Sequence, residues 1–401
     1  MILLFPAVAV LLLATQHGCE APRREEKEPV VRAVDEPADD GPADDGPVDD
    51  KKQPQNPVGP LAAGVKFLLA AQDDDGAWRS KTYGQLKGGA ATTALVLYAL
   101  SHLNTPRGEN VDAAAGRAVG FLQPGIEKYG YVCDPDGTPA YPTYGGAMLL
   151  IAVDRIRLPL PRALREKLID DLIRDQLTER QNWQPDSIHY GGWDVVRAEH
   201  ATPPITSGTN ISVSAMALEA LHGCQHNEKP AVLARARQWA ERCQNFPQDG
   251  GFFFSPDANR TANKAGTSDA ETPQPRSYGT ATCDGLRAII YCGAAADDPR
   301  VKAAVAWLVR HKRVDEVPGF KPSKASSRWS AGLVYYHCAM LSKVLVHLPP
   351  EERNSRGKRI RDFLAKGQQE DGHWASDVAR MREDDPLIAT AFAVIALAET
   401  K

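Results

Sequence analysis

Chemistry in this chain would have to come from scattered groups rather than from one compact motif. Cys283 and Asp284 are adjacent, and His337 lies further on in YYHCAMLS. Thiolate, carboxylate and imidazole can together hold zinc. Adjacent helical residues, however, point about 100° apart, so Cys283 and Asp284 do not easily share one ion. His337 is also a candidate acid or base, because imidazole titrates near neutrality. The run Arg382-Glu383-Asp384-Asp385 sets two more candidate acids, Asp384 and Asp385, at the start of an apolar stretch. A different chemistry is suggested by residues 183–200, which carry Trp183, Asp186, His189, Tyr190, Trp193, Asp194 and His200. Aromatic platforms beside carboxylates suit a glycan, and aromatic walls suit a lipid. Asp249, Phe252, Phe253 and Phe254 form a second such group. Trp193 and Phe252 are read as plugs of structural turns. Trp183, Asp186, His189, Tyr190 and Asp194 are read as ligand contacts, together with Thr282, Tyr336 and His337.

The elements that must position these groups are helices. Ala and Leu dominate the periodic stretches, and strand signals are sparse. From residue 60 onward the chain repeats itself: a helix ends in Gln, a Gly-rich turn carrying an aromatic follows, and a small-residue-rich helix comes next. The clearest copies share Q-x-x-x-G-x-W, with Gln72, Gly76 and Trp78 in one and Gln368, Gly372 and Trp374 in the other. Degenerate copies read FLQPGIEKYGY at 121–131, QPDSIHYGGW at 184–193 and CQNFPQDGGF at 243–252, and a sixth turn at 312–329 keeps only Gly319 and Phe320. Second helices start near residues 89, 142, 209, 278, 329 and 385. First helices lie near 60–71, 111–123, 161–181, 230–244, 299–311 and 351–367. Six helix pairs at a period of about 50–70 residues mark a helical repeat.

Six hairpins can close into a double ring. The second helices, such as ATTALVLYAL and IATAFAVIAL, are small and apolar all round and suit an inner ring. The first helices, such as PRALREKLIDDLIRD, carry charge and suit an outer one. Aligned on their apolar pattern, the inner helices place Thr93, Gly146, Ser214, Thr282, His337 and Thr390 at one level. Either these residues let the helices approach closely, or they line a lumen with His337 as its ionisable group. Loops running from outer to inner helix are long, at about 185–208, 245–277 and 312–328, whereas reverse loops such as 225–229 and 294–298 are short. Long loops on one face of a repeat ring usually carry the function.

Q-x-x-x-G-x-W turns between paired helices resemble the repeats of squalene and oxidosqualene cyclases, and protein prenyltransferase β-subunits share the six-hairpin ring. The resemblance spans nearly all of 60–401 and implies an all-α fold, an (α/α)6 toroid. It implies less about chemistry. The cyclases protonate their substrate with an Asp of a D-x-D-D motif, whose nearest counterpart here, Arg382-Glu383-Asp384-Asp385, has Arg at the first position. The prenyltransferases hold zinc with a D-x-C pair and a later His, whereas Cys283 and Asp284 are adjacent and in reversed order, and His337 is out of register. No metal or cofactor is therefore expected. The expected function is a non-catalytic module that binds an apolar ligand or a protein partner. An atypical terpenoid enzyme using His337, Asp284, Asp384 or Asp385 stays open, as does a carbohydrate-active enzyme using Asp186, His189 or Asp194.

Charge and the N-terminus complete the expectations. The 401 residues carry a net charge of −4, but residues 20–58 alone hold twelve acidic and six basic side chains. The remainder has 41 Lys and Arg against 39 Asp and Glu, without basic runs, which argues against a nucleic-acid partner. Residues 1–19 read as a secretory signal ending in a candidate lipidation site, Cys19. Residues 20–58 read as a disordered acidic Pro/Gly/Asp tether, and residues 59–401 as the toroid. The expected protein is an exported monomer, periplasmic or at the cell surface, touching a membrane only through an N-terminal lipid anchor.

Overall fold

The computed structural model describes residues 59–104, 107–197, 208–257, 263–268, 274–321 and 323–400. The leader, Cys19, the acidic segment and His200 lie outside the described residues. Six inner helices are α2 (Ala90–Ser101), α4 (Pro142–Ile156), α6 (Ile211–His222), α8 (Gly279–Tyr291), α11 (Val334–Val344) and α13 (Pro386–Glu399). Each packs on the next, and α13 returns to pack on α2, so the inner ring closes. Outside it run α1 (Pro60–Ala70), α3 (Glu109–Tyr129), α5 (Arg162–Arg174), α7 (Lys229–Arg242), α9 (Pro299–Arg310) and α12 (Pro350–Gly367). A short extra helix, α10 (Lys324–Ala331), precedes α11. No described helix is long and apolar enough to cross a membrane. The residue types follow the layers: in α2 every residue but Ala91 is buried, whereas α12 buries only Arg356, Gly357, Ile360 and Leu364.

The repeat motif explains the closure. Gln72 donates from Nε2 to the Gly76 carbonyl at 2.9 Å and to the Ala114 carbonyl of α3 at 2.9 Å. Gln368 does the same to Gly372 at 2.8 Å and to Pro60 of α1 at 2.9 Å, so the last repeat is tied to the first. Gln176 bonds Gly191 and Val232 of α7, both at 3.0 Å, and Gln244 bonds Gly250 at 2.9 Å and Arg300 of α9 at 3.0 Å. Each Gln thus satisfies a carbonyl of its own turn and one in the first half of the next outer helix. The glycines are required twice over. Gly76 and Gly372 have φ of +91° and +97°, and a Cβ there would lie 2.4 Å from the Arg117 carbonyl oxygen and 2.5 Å from that of Ala63. The aromatic plugs are buried: Trp78, Trp193 and Trp374 donate Nε1–H to the carbonyls of Leu68, Leu172 and Leu364 at 2.6, 2.7 and 2.8 Å.

Three boundaries differ from those read in the sequence. Residues 121–129 are not a turn, because α3 continues through Pro124 to a left-handed C-cap at Gly130. The Gln of the third repeat is Gln176 rather than Gln184, and α5 ends at Arg174, so an insertion separates that Gln from Gly191 and Trp193. The fifth inner helix begins at Val334 rather than near 329, after a break between α10 and α11.

Candidate functional site

The level of small residues does not face the lumen. Thr93, Ser214, Thr282 and Thr390 turn their hydroxyls outward and accept the backbone N–H of Trp78, Trp193, Phe252 and Trp374 at 2.8, 3.1, 3.1 and 3.0 Å. They fasten each turn to its inner helix, a third role beside close packing and lumen lining. Thr282, read as a ligand contact, is wholly buried in this bond. His337 occupies the same level and packs where a Cβ on Gly279 would meet its Cε1 at 2.7 Å. Neither ring nitrogen makes a close hydrogen bond, and burial holds the imidazole down to about 4, against a weak pull from the Arg313 carbonyl. It is a neutral core residue at pH 7.

The lumen is lined instead by residues spaced four apart, one helical face each. Ala91 and Leu95 of α2, Tyr144 and Met148 of α4, Ser212 and Met216 of α6, and Ile388 and Phe392 of α13 surround a cavity of about 380 Å³. Tyr336 of α11 and Thr280 of α8 complete the wall. The lining residues sit in the first halves of the inner helices, so the cavity lies at the end of the ring that carries the long loops. Loop residues Leu86, Tyr141, Val195, Phe254, Tyr278 and Leu333 close the sides, giving a lining that is mostly apolar and aromatic.

The floor is polar. Behind the wall, Asp284 accepts from Ser212 Oγ and from the Tyr336 hydroxyl, both at 2.7 Å, and from Arg287 Nη1 at 3.0 Å. Burial raises its carboxyl above the ordinary range, with Arg287, Ser212 and Tyr336 opposing. Below it the lumen is filled by paired charge. Arg287 also holds Glu219, and Lys343 Nζ lies 2.6 and 2.7 Å from the two Glu219 oxygens. Burial would raise Glu219, but Lys343 and Arg287 outweigh it and keep the carboxylate ionised. Lower still, His102 Nδ1 lies 2.5 Å from Glu399 Oε1, to which Arg155 donates at 3.1 Å.

The mouth carries Lys264, Arg380, Arg382 and Glu383. Glu383 accepts the N–H groups of Tyr335 and Tyr336 at 3.0 and 2.7 Å and so caps α11 across the break. Burial pushes its carboxyl up to about 8 in spite of those donors. Asp385 caps α13 through Leu387 N at 2.9 Å and is held by Ser80, while Asp384 takes the Tyr83 hydroxyl at 2.5 Å. Both candidate acids are therefore occupied with local structure.

The other sequence-selected residues lie elsewhere. Trp183 and Tyr190 pack with Leu177 in a small buried cluster, with His189 edge-on to Trp183 at 5.2 Å. His189 bonds Thr209 at 2.9 Å, and Tyr190 donates to Glu179 at 2.8 Å. Asp194 is buried and accepts from Gly208 N at 2.9 Å, while Asp186 is exposed. None of these lines the cavity, whereas Tyr336 does. Cys283 is buried apart from the lumen face that Asp284 shares with Thr280 and Arg287. Among the described residues no group of three or more His, Cys, Asp or Glu is placed to hold a metal. Sequence reasoning missed Tyr144, Lys264, Glu219, Arg287 and Lys343. A usable signal existed for three of them, since a charged Glu219, Arg287 or Lys343 inside a mostly apolar inner helix implies a buried partner.

No family model and no curated protein sequence matches the chain. Solved structures do. The type II terpene cyclase MstE from Scytonema superposes with a TM-score of 0.55 at 17% identity, covering 84% of this chain and 96% of that one. The GH76A α-1,6-mannanase from Salegentibacter gives 0.54 at 13%, covering 85% and 97%. Cellobiose 2-epimerase from Spirochaeta thermophila gives 0.55 at 14%, covering 85% and 95%. The fold is the terpenoid-cyclase-like (α/α)6 toroid. Neighbours acting on a terpenoid and on sugars share it, so fold alone does not choose the ligand.

Proposed function

We propose that this toroid is a binding protein for an apolar or amphipathic small molecule, taken into the lumen from the long-loop end. The observation that carries the reading is the cavity of about 380 Å³ walled by Tyr144, Met148, Met216, Tyr278, Tyr336 and Phe392. Apolar surface of that kind gains from excluding water, at about 25 cal/mol per Å² buried. A glycan reading loses support, because Trp183 and Tyr190 are buried in their own cluster and leave no stacking face. A MstE variant held geranylgeranyl dihydroxybenzoate as its substrate, an apolar chain on a polar head. Catalysis of the cyclase type is less well supported here. Protonating an alkene needs a strong acid, and Glu383 is raised to about 8, while Asp384 and Asp385 are engaged in local bonds.

Fluorescence titration with the methyl ester of cis-parinaric acid tests the reading. Saturable binding is expected, lost in Met216→Trp, which fills the lumen. Absence of binding, or binding untouched by that substitution, contradicts it. Cyclised products from a polyprenyl substrate would shift the assignment to an enzyme. We further propose that the leader and Cys19 hold the ring outside the cytoplasm, so Cys19→Ser should release it from membranes without changing its melting temperature.

A further inference from the structure

We propose that the cavity takes a carboxylate-headed amphiphile, with its apolar chain in the lumen and its head among Lys264, Arg380 and Arg382. This rests on the reading of the cavity as a ligand site. At the closed end of the lumen Arg287, Lys343 and Arg155 each hold a carboxylate. At the mouth, among the described residues, none of the three cations is in an ion pair. Each lies on an aromatic face instead, and Arg382 also donates to the Gln85 side-chain amide oxygen. Lys264 Nζ is 3.3 Å from the Phe254 ring centroid, Arg380 is 5.0 Å from that of Trp329, and Arg382 is 5.2 Å from both Tyr83 and Tyr141. The acid that lines the same cavity, Glu383, is taken up by the N–H groups of α11.

Lys264 and Arg382 are half-buried and Arg380 is exposed. A cation partly drawn out of water without an anion is costly, and a cation–π contact offsets only part of that cost. Burial pushes the Lys264 ammonium down to about 7, partly opposed by Asp284, and does the same to the paired Lys343. An anion brought by a ligand supplies the missing partner. A second observation points to the same place. Tyr141 and Arg382, which touch across the mouth, both hold left-handed backbone without being glycine, at φ of 51° and 63°. Such strain collects at ligand sites because the surroundings must enforce it. Of the helix N-termini beside the mouth, those of α11, α13 and α6 are filled by Glu383, Asp385 and Asn210, and those of α4 and α8 carry no side-chain cap. The head is taken to be a carboxylate because the side-chain cations, rather than a helix end, are, among the described residues, the groups without an anion.

The test compares cis-parinaric acid with its methyl ester on the full chain at pH 7. The acid should bind on the order of tenfold more tightly, the scale of one charge-assisted hydrogen bond. Lys264→Met and Arg382→Gln should each cut that preference severalfold, read as the ratio of acid to ester affinity in the same variant. Melting curves check that both variants fold, and Arg380→Gln provides an independent reading if either does not. Equal binding of acid and ester overturns the carboxylate head while leaving the cavity reading intact, whereas failure of both ligands overturns the cavity reading itself. A preference that survives all three substitutions overturns the site. A farnesyl phosphate-to-farnesol preference larger than the acid-to-ester one overturns the choice of head.

Discussion

At the short-loop end of the lumen Glu219 answers Arg287 and Lys343, and Glu399 answers His102 and Arg155. At the long-loop end Lys264, Arg380 and Arg382 rest on aromatic rings and, among the described residues, no carboxylate is paired with them. Arg287 and Lys343 stand on inner helices, whereas Lys264, Arg380 and Arg382 line the cavity from the long-loop end. The difference teaches what each end is for. Paired charge fills the lower lumen and substitutes for an apolar plug, so it belongs to the architecture. Half-buried Lys264 and Arg382, with no carboxylate of the described residues paired to them, leave a place for an anion brought from outside.

The largest effects should come from the frame that serves both ends. Trp78→Ala removes a buried plug and its bond to Leu68, and stability should fall by roughly 3–5 kcal/mol in denaturant titration. An unchanged transition would mean that the repeat turns do not hold the ring. Glu219→Ala strands Lys343 and leaves Arg287 with Asp284 alone, and a loss of similar size, roughly 3–5 kcal/mol, is expected. Replacing the pair together, as Glu219→Met with Lys343→Met, should recover much of it. If the single substitution is silent, the plug is not structural and the contrast between the ends fails.

A smaller effect concerns pH. The His337 imidazole lies at about 4 in the fold, against an ordinary value near 6.5. The unfolded chain therefore takes up a proton first as pH falls. The stability due to the neutral imidazole is complete above about 6.5 and is lost between there and 4, worth at most roughly 3 kcal/mol. His337→Leu should make the fall of the melting temperature over that window shallower, the remainder coming from His102, which burial also holds down to about 4. A decline identical to that of the parent would show that the ring is not protonated only on unfolding. The smallest effect is predicted at the open end, where Lys264→Met should change stability by less than about 1 kcal/mol, in either direction, because no ion pair is broken. A loss as large as that of Glu219→Ala would show Lys264 to be part of the frame.

The ring itself was legible because its signals are local and repeated. Gln72, Gly76 and Trp78 recur as Gln368, Gly372 and Trp374, and each does in three dimensions what its type suggests: a side-chain amide for two carbonyls, a backbone free of Cβ, a large plug with one N–H. The insertion between Gln176 and Gly191 hid the third copy, since the contact survives a change in spacing that a pattern does not. The lumen was harder to read. A helix apolar all round does not declare its inward face, so Thr282 and His337, on the outward one, looked equivalent to lumen residues. The pairing of Asp284 with Ser212 and Tyr336 joins three different helices and leaves no trace in any one of them. Lys264 lies in an irregular loop, where only the folded arrangement shows that it reaches the cavity.

The central claim is that the lumen at the long-loop end holds a ligand. A crystal structure of the protein with a terminally brominated fatty-acid methyl ester tests it most directly. The account predicts an anomalous bromine peak inside the ring, bordered by Tyr144, Met148, Met216 and Phe392. A bound ester whose bromine lies on the outer surface or beside Trp183 and Tyr190, with the lumen unchanged, would contradict it.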